Sequence, residues 1–362
     1  MLPTKTVLIA PLDWGIGHAS RCIPIIKELQ KLNQEVIVAA DGAPLDLLKK
    51  VFPTLQFEVF PAYTPRYGNT NSLVWPVIKQ SPILFWQGIK DHCWMESFVN
   101  KTKIDGIISD NRFGAFSKKV PSVFITHQLH IKPPKSLAFS SPIIELVNKT
   151  IVRNYSTCWI PDFEGNQALA GELSNPPFKD ISINYIGPLS RFEEFKAASN
   201  NEKEVIDFLV IISGPEPQRS IFEENVLSQL KGRNESVVIL RGLPHVKSVP
   251  DVSENIRMLN HAIDDQFFDL ISSARFVVAR AGYSTIMDLV AMKKSALLIP
   301  TPGQTEQEYL AEYHENRGFF HRKLQSDTSY FDSSFRDSNR MFLKPFQESR
   351  LSDILREWIC NL

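Results

Sequence analysis

The chain has little that would staple it, anchor it or draw it to a polyanion. Four cysteines are spread along 362 residues, at Cys22, Cys93, Cys158 and Cys360, with no C-x-x-C pair. That spacing offers neither a disulfide framework nor a tetrahedral zinc site. No apolar run reaches the roughly 20 residues needed to cross a bilayer. Residues 1–10 hold a single Lys ahead of a strand-like stretch, which is not the plan of a signal peptide. The N-x-S/T matches at Asn100, Asn148, Asn154 and Asn234 are then chance, and a reducing cytoplasm is the expected setting. Basic and acidic residues balance at 40 each, so nucleic acid is not an expected partner. No D-x-D pair stands in a plausible loop, so no metal is expected. The first glycine turn, Gly15-Ile16-Gly17, lacks the third glycine of the dinucleotide fingerprint.

What remains is an ordinary globular composition, 43% hydrophobic and 22% charged, in a chain long enough for two cores. The pattern is an alternation of short β-branched runs with amphipathic segments, which predicts parallel strands and covering helices. Thr6–Ala10 and Glu35–Ala40 read as strands on either side of a helix from Cys22 to Leu32. A helix at 43–51, strands at 57–60, 105–110, 120–126 and 157–161, a brief helix at 115–118 and another at 141–154 continue the first half. Residues 72–100 are bulky, with Trp75, Phe85, Trp86 and Trp94 interleaved with Lys79 and Lys90. They read as one or two helices over the sheet, or as an interfacial surface, with Pro76 and Pro82 interrupting any long helix. A charged, poorly apolar segment follows Gly187, and the boundary is placed near 187–203. The expected domains are 1–190 and 203–346, and the helix at 347–362 is a candidate to pack back on the first. The predicted class is α/β: two doubly wound halves whose binding edges face a common cleft.

Two groups of residues carry chemistry. In the first half, three strands each deliver a polar group to the carboxyl edge: His18, Asp110 and His127. Such edges converge at the crevice of a doubly wound sheet. His18, with an ordinary pKa near 6.5, suits a general base, and Asp110 suits either orienting it or acting as base itself. In the second half, residues 272–313 read as strand, glycine turn, helix, strand, Pro-rich loop and helix. Gly282 permits close backbone approach, Ser284 or Thr285 can cap the helix, and Arg280 stands beside it, an arrangement suited to a phosphate. Glu306 and Gln307 offer planar groups to sugar hydroxyls.

Taken together, Gly15-Ile16-Gly17-His18, His127-Gln128, Ser213-Gly214, His261–Asp265, Arg280–Thr285 with Asp288, and Pro300 with Glu306-Gln307 resemble a GT-B glycosyltransferase of family 28. They span most of the chain in the family's order, the C-terminal part matching more fully. The resemblance implies that Ile263 holds a uracil-type base through its backbone. It implies that Arg280, Gly282, Ser284 and Thr285 surround a diphosphate and that Asp288 binds ribose. Glu306 and Gln307 would bind the donor sugar, and Ser213, Gly214 and Gly17 complete the donor contacts. His18, Asp110 and His127 are the catalytic candidates. The chain departs from the family in its N-terminal turn and in Pro215-Glu216-Pro217 after Gly214. Gly15, Gly17, His18 and Arg21 also match the G-x-G-H-x-x-R pattern of a UDP-sugar hydrolase with the same fold. The expectation is transfer of a sugar from a UDP-type donor to an acceptor hydroxyl, inverting and without metal. The co-substrate is the nucleotide sugar, with no other cofactor. A hydrolase and a non-catalytic nucleotide-sugar binder are the alternatives. The aromatic stretch 73–98 and a basic bias in residues 1–190, 19 Lys and Arg against 15 Asp and Glu, hint at a lipid-linked or membrane-surface acceptor. They also hint at a peripheral position on the inner face of the membrane.

Overall fold

The β-branched runs become two separate, wholly parallel sheets, each in its own unit. The structure is a computed structural model that describes residues 2–63, 74–192, 205–244, 246–262, 264–332, 335 and 349–362. Unit 1 takes its described residues from the chain up to Arg191 and from the C-terminal stretch, and unit 2 from Phe192 onward to residue 335.

Unit 1 contains strands β1 (Thr6–Pro11), β2 (Glu35–Ala40), β3 (Gln56–Val59), β4 (Gly106–Asp110), β5 (Ser122–Ile125), β6 (Thr157–Ile160) and β7 (Ile183–Tyr185). Their order is β3-β2-β1-β4-β5-β6-β7. The direction of winding reverses between β1 and β4, paired in register from Val7↔Gly106 to Pro11↔Asp110. That switch point is where doubly wound sheets bind ligands. Helices α1 (Ile16–Lys31), α2 (Gly42–Val51), α3 (Val74–Lys101) and α4 (Ser141–Val152) supply the cover. Side chains alternate along each strand, so Leu8, Ile107 and Phe124 share one face. Met95 of α3 packs with Leu8 and Ile107, and Val152 of α4 packs with Phe124, so these two helices lie on the same side. The last helix, α9 (Leu351–Cys360), belongs to the opposite face. Its Trp358 meets Trp159 edge-on at 5.6 Å, and Gly106 has no side chain because the Trp358 ring occupies that space.

Unit 2 holds β8 (Ile206–Ile211), β9 (Val237–Leu240), β10 (Ile256–Leu259), β11 (Ala274–Ala279), β12 (Ala296–Leu298) and β13 (His321–Arg322), in the order β10-β9-β8-β11-β12-β13. Its switch point lies between β8 and β11. Its helices are α5 (Gln218–Leu230), α6 (Asp264–Ser273), α7 (Tyr283–Ala291) and α8 (Thr305–Asn316). Phe208, Val210, Phe276 and Val278 of the sheet pack with Phe222 and Val226 of α5. Tyr330 and Phe331 complete that core.

Several local expectations change. Pro82 does not end α3, which runs through it for 28 residues; a proline removes one backbone donor and kinks a helix more often than it stops one that is otherwise held. No helix forms at 115–118. There the chain presses Gly114 against α3, so close that an added Cβ would sit 2.1 Å from the Gly88 carbonyl oxygen. Two edge strands, β7 and β13, are too short to leave a pattern. Ser284 and Thr285 do not cap α7: Gly282 is the N-cap residue, and both lie inside the first turn.

Candidate active site

At the unit 1 switch point, β1 runs into a turn at Gly15, whose φ of 118° is open to glycine and strained for other residues. The chain then enters α1, placing His18 in the first turn. Asp110 ends the neighbouring strand β4 and is fully buried. His18 Nδ1 lies 3.3 Å from Asp110 Oδ2. One turn along α1, Arg21 grips the same carboxylate. Its Nε donates to Asp110 Oδ1 at 2.8 Å and to Oδ2 at 2.7 Å, and its Nη2 makes a further short contact with Oδ1. Arg21 Nη2 also approaches His18 Nδ1 at 2.8 Å, and Nη1 approaches His127 Nδ1 at 3.3 Å. His127, just past β5, is buried, and its Nε2 is 3.4 Å from Gln128 Nε2. The three sequence candidates of this half thus form one cluster, and Arg21 is its hub.

The electrostatics follow from that packing. Burial is the largest influence on His18 and lowers its pKa, and the Arg21 charge lowers it further against the opposing pull of Asp110. The ring is therefore neutral at pH 7. Burial pushes Asp110 up, but the Arg21 charge and His18 outweigh it and hold the carboxyl below its ordinary value. His18 Nδ1 faces a carboxylate and a guanidinium at once. Turned to Asp110, Nδ1 carries the proton and Nε2 keeps a lone pair, the tautomer a base needs; turned to Arg21, the assignment reverses. The His18 side chain is 18% exposed and is the member of this cluster with the most access to solvent.

At the unit 2 switch point, Ser213 and Gly214 leave β8 exposed, with Gly214 at φ 105°. Next to them β11 leads into Gly282 and the N-terminus of α7, which has no side-chain cap. Its first-turn amides, from Tyr283, Ser284 and Thr285, lack intrahelical acceptors and carry the positive end of the helix dipole. Asp288 follows one turn on and is buried. Glu306 lies in the first turn of α8. Gln307 is buried, and its Oε1 accepts from the Thr301 amide at 2.9 Å, which ties the Pro-rich loop to that helix. Ile263 lies outside the described residues.

Arg280 departs from the expectation that it contacts a diphosphate. It is 1% exposed and stacks 4.2 Å over the Phe222 ring. Its Nη1 donates to the Ile299 and Pro300 carbonyls, each at 3.3 Å, and its Nη2 to the Gln218 carbonyl at 2.8 Å and Gln325 Oε1 at 2.6 Å. Burial pulls its pKa down to about 9, which leaves it charged at pH 7. The sequence places an Arg beside a helix N-terminus; only packing decides that it turns inward and fixes the loop.

A second buried ion network escaped the sequence reading. Glu223 accepts from Arg219 at 2.6 Å and from Arg241 at 2.9 Å, and Arg219 also holds Glu216 at 2.5 Å. Burial raises the Glu223 pKa, and the hydrogen bonds from Arg241 and Arg219 overcome it and lower the value. The i, i+4 spacing of Arg219 and Glu223 was the available signal. The network braces the start of α5 behind the Ser213-Gly214 loop.

Two parallel doubly wound sheets, each gathering its polar residues at the switch point, are the architecture of GT-B glycosyltransferases, and the matches to known proteins support that class for this chain. Residues 216–329 match the glycosyltransferase family 28 C-terminal domain. An uncharacterized glycosyltransferase of Methanosarcina acetivorans is 24% identical over 329 residues, covering 84% of this chain and 82% of its own. The UDP-N-acetylglucosamine--N-acetylmuramyl-(pentapeptide) pyrophosphoryl-undecaprenol N-acetylglucosamine transferase of Clostridium perfringens is 23% identical, over 78% of this chain and 75% of its own. Among solved structures, the glycotransferase of kitacinnamycin superposes with a TM-score of 0.63 at 13% identity, covering 100% of this chain and 96% of that one.

Proposed function

We propose that this glycosyltransferase moves a sugar from a uridine-diphosphate donor to an acceptor hydroxyl, inverting the anomeric carbon in one displacement without a metal ion. The observation that carries the reading is the His18–Asp110 dyad at the unit 1 switch point, 3.3 Å apart, with a neutral and partly exposed imidazole. Asp110 is buried and held by Arg21, so it acts through His18 by orienting the ring and stabilising the imidazolium that forms. His127 closes the cluster behind Arg21 and serves as a positioning residue. In unit 2 the uncapped N-terminus of α7 takes the diphosphate and stabilises the charge that builds on it as the glycosidic bond breaks. Ser213 and Gly214 approach the phosphates. Asp288 binds the ribose, Ile263 the base, and Glu306 and Gln307 the sugar. Arg280 holds the Pro300 loop in place rather than touching the phosphates.

The acceptor reading rests on exposed apolar side chains on the side of unit 1 covered by α3 and α4. Phe85 and Trp86 are 69% and 62% exposed, and Phe139 and Ile143 are 79% and 66% exposed. No described helix is long and apolar enough to cross a membrane. A surface of this kind meets a bilayer interface, where a lipid-linked acceptor resides. The Clostridium relative, named for a pyrophosphoryl-undecaprenol acceptor, supports that choice.

The test is product analysis with UDP-sugars and a membrane-lipid extract in EDTA. A β-linked product from an α-linked donor, seen by NMR, is expected, and His18→Ala lowers kcat by roughly 10²–10⁴ while calorimetric UDP affinity holds. Free sugar released equally with and without acceptor makes the protein a hydrolase. Activity that requires added Mg²⁺ or Mn²⁺ overturns metal independence.

A further inference from the structure

We infer that Asn148 of α4 is a positioning residue for the dyad: it fixes the turn that seats His127 behind Arg21. The inference rests on the reading of the His18–Asp110 cluster as the catalytic one. Asn148 is 4% exposed and reaches back 20 residues along the chain to that turn. Its Nδ2 donates to the Gln128 carbonyl at 2.9 Å and to the Leu129 carbonyl at 2.8 Å. Successive carbonyls point opposite ways in an extended strand, so one amide holding both specifies a turn. Three amides of the same segment are tied as well. The Thr126 amide donates to the Trp159 carbonyl at 3.2 Å, the Gln128 amide to Thr126 Oγ1 at 3.1 Å, and the His130 amide to the Leu173 carbonyl at 3.0 Å. The chain is thus fixed by β6 before His127 and by α4 after it, and His127 Nδ1 lies 3.3 Å from Arg21 Nη1.

The residue type argues for a task at this position. The buried residues of α4 are Asn148 and Val152, one turn apart. Asn is a poorer helix former than Ala or Leu, and a buried amide is costly unless it is hydrogen-bonded. An apolar side chain would serve packing better, as Val152 does against Phe124. Asn148 gives up that packing for two bonds to one turn. Its effect reaches the reacting groups in few steps. Arg21 holds Asp110 and approaches His18, and His127 limits where that guanidinium can move. A supporting shell of this kind keeps catalytic groups within about 0.5 Å of their working geometry.

The NMR signals of the histidine Cε1–H groups test this without requiring turnover. His18 and His127 are assigned with His18→Gln and His127→Gln, and kcat is read as UDP release from UDP-sugars with a membrane-lipid extract. Asn148→Ala is expected to move the His127 and His18 signals, while those of His314 and His321 in unit 2 stay. It lowers kcat by roughly 10- to 100-fold and leaves calorimetric UDP affinity unchanged. Asn148→Ser, which keeps one donor on a shorter stem, takes its place if the alanine variant does not fold. Val152→Ala is the control for packing: it lowers the thermal midpoint through the same helix and leaves both His signals and kcat in place. In a His127→Ala background, Asn148→Ala lowers kcat no further, because its effect runs through His127. The inference is overturned if Asn148→Ala leaves the His127 signal unmoved, if Val152→Ala moves it as far, or if the two substitutions lower kcat additively. Absence of turnover in the wild-type protein would sink the transfer reading, and the NMR comparison would still decide whether Asn148 sets His127.

Discussion

At the scale of single residues, Arg21 decides more about the dyad than its sequence signal implied. The spacing from His18 to Arg21 is one helical turn, which puts both over the end of β4. From sequence, Arg21 was a motif match; in the fold it holds Asp110 ionised and lowers the His18 pKa. Because that pKa is lowered from 6.5, the base stays unprotonated as pH falls, and the acid limb of kcat/KM lies below pH 6.5. Arg21→Gln removes a cation from His18, so the limb moves to higher pH. Arg21→Lys keeps the charge but not the fork, so the limb stays in place while kcat drops. An unmoved limb in Arg21→Gln, with Asp110, His127 and Cys22 as the remaining neighbours, would assign the limb to another group. Arg280 teaches the converse. Its type and position spoke for a phosphate ligand, and its four hydrogen bonds to carbonyls and Gln325 speak for an internal brace.

At the scale of elements, most strands and helices were legible because burial on both faces of a parallel sheet forces continuous β-branched runs, while helices keep their 3.6-residue stripe. What failed were features set by contact rather than by pattern. The expected helix at 115–118 is absent because Gly114 packs backbone to backbone on α3. The 28 residues of α3 pass through Pro82, and its register over the sheet depends on that contact. Gly114→Ala places a methyl 2.1 Å from the Gly88 carbonyl and 2.7 Å from Asp91 Cβ. Its expected cost is about 2 kcal/mol, in the range of overpacked cores, measured by urea unfolding. A loss under 0.5 kcal/mol would mean that α3 shifts freely. Asp162 is a second such feature. Fully buried, it accepts from the amides of Phe163, Leu169 and Ala170 and from the Ser174 hydroxyl at 2.6–2.9 Å, giving order to the segment that follows β6.

At the scale of the whole molecule, the two doubly wound units follow a plan that alternation announced, and the C-terminal helix returns to unit 1. The apolar side chains exposed on α3 and next to α4 carry a prediction at this scale. The protein should sediment with vesicles containing anionic lipid, and Trp86→Ser with Phe139→Ser should release most of it without lowering the thermal midpoint. Equal binding by that variant would place the lipid contact elsewhere. The sequence by itself determined the fold class and brought Ser213-Gly214 and Gly282–Thr285 to one sheet edge, and His18, Asp110 and His127 to another. Strand ends and switch points follow from hydrophobic period and chain order, which are written residue by residue. Only the tertiary structure decided where each polar group spends its hydrogen bonds. It turned Arg280 inward and made Arg21 the hub of the dyad. Those outcomes depend on side chains far apart in sequence competing for the same buried acceptors, a competition that no local pattern records.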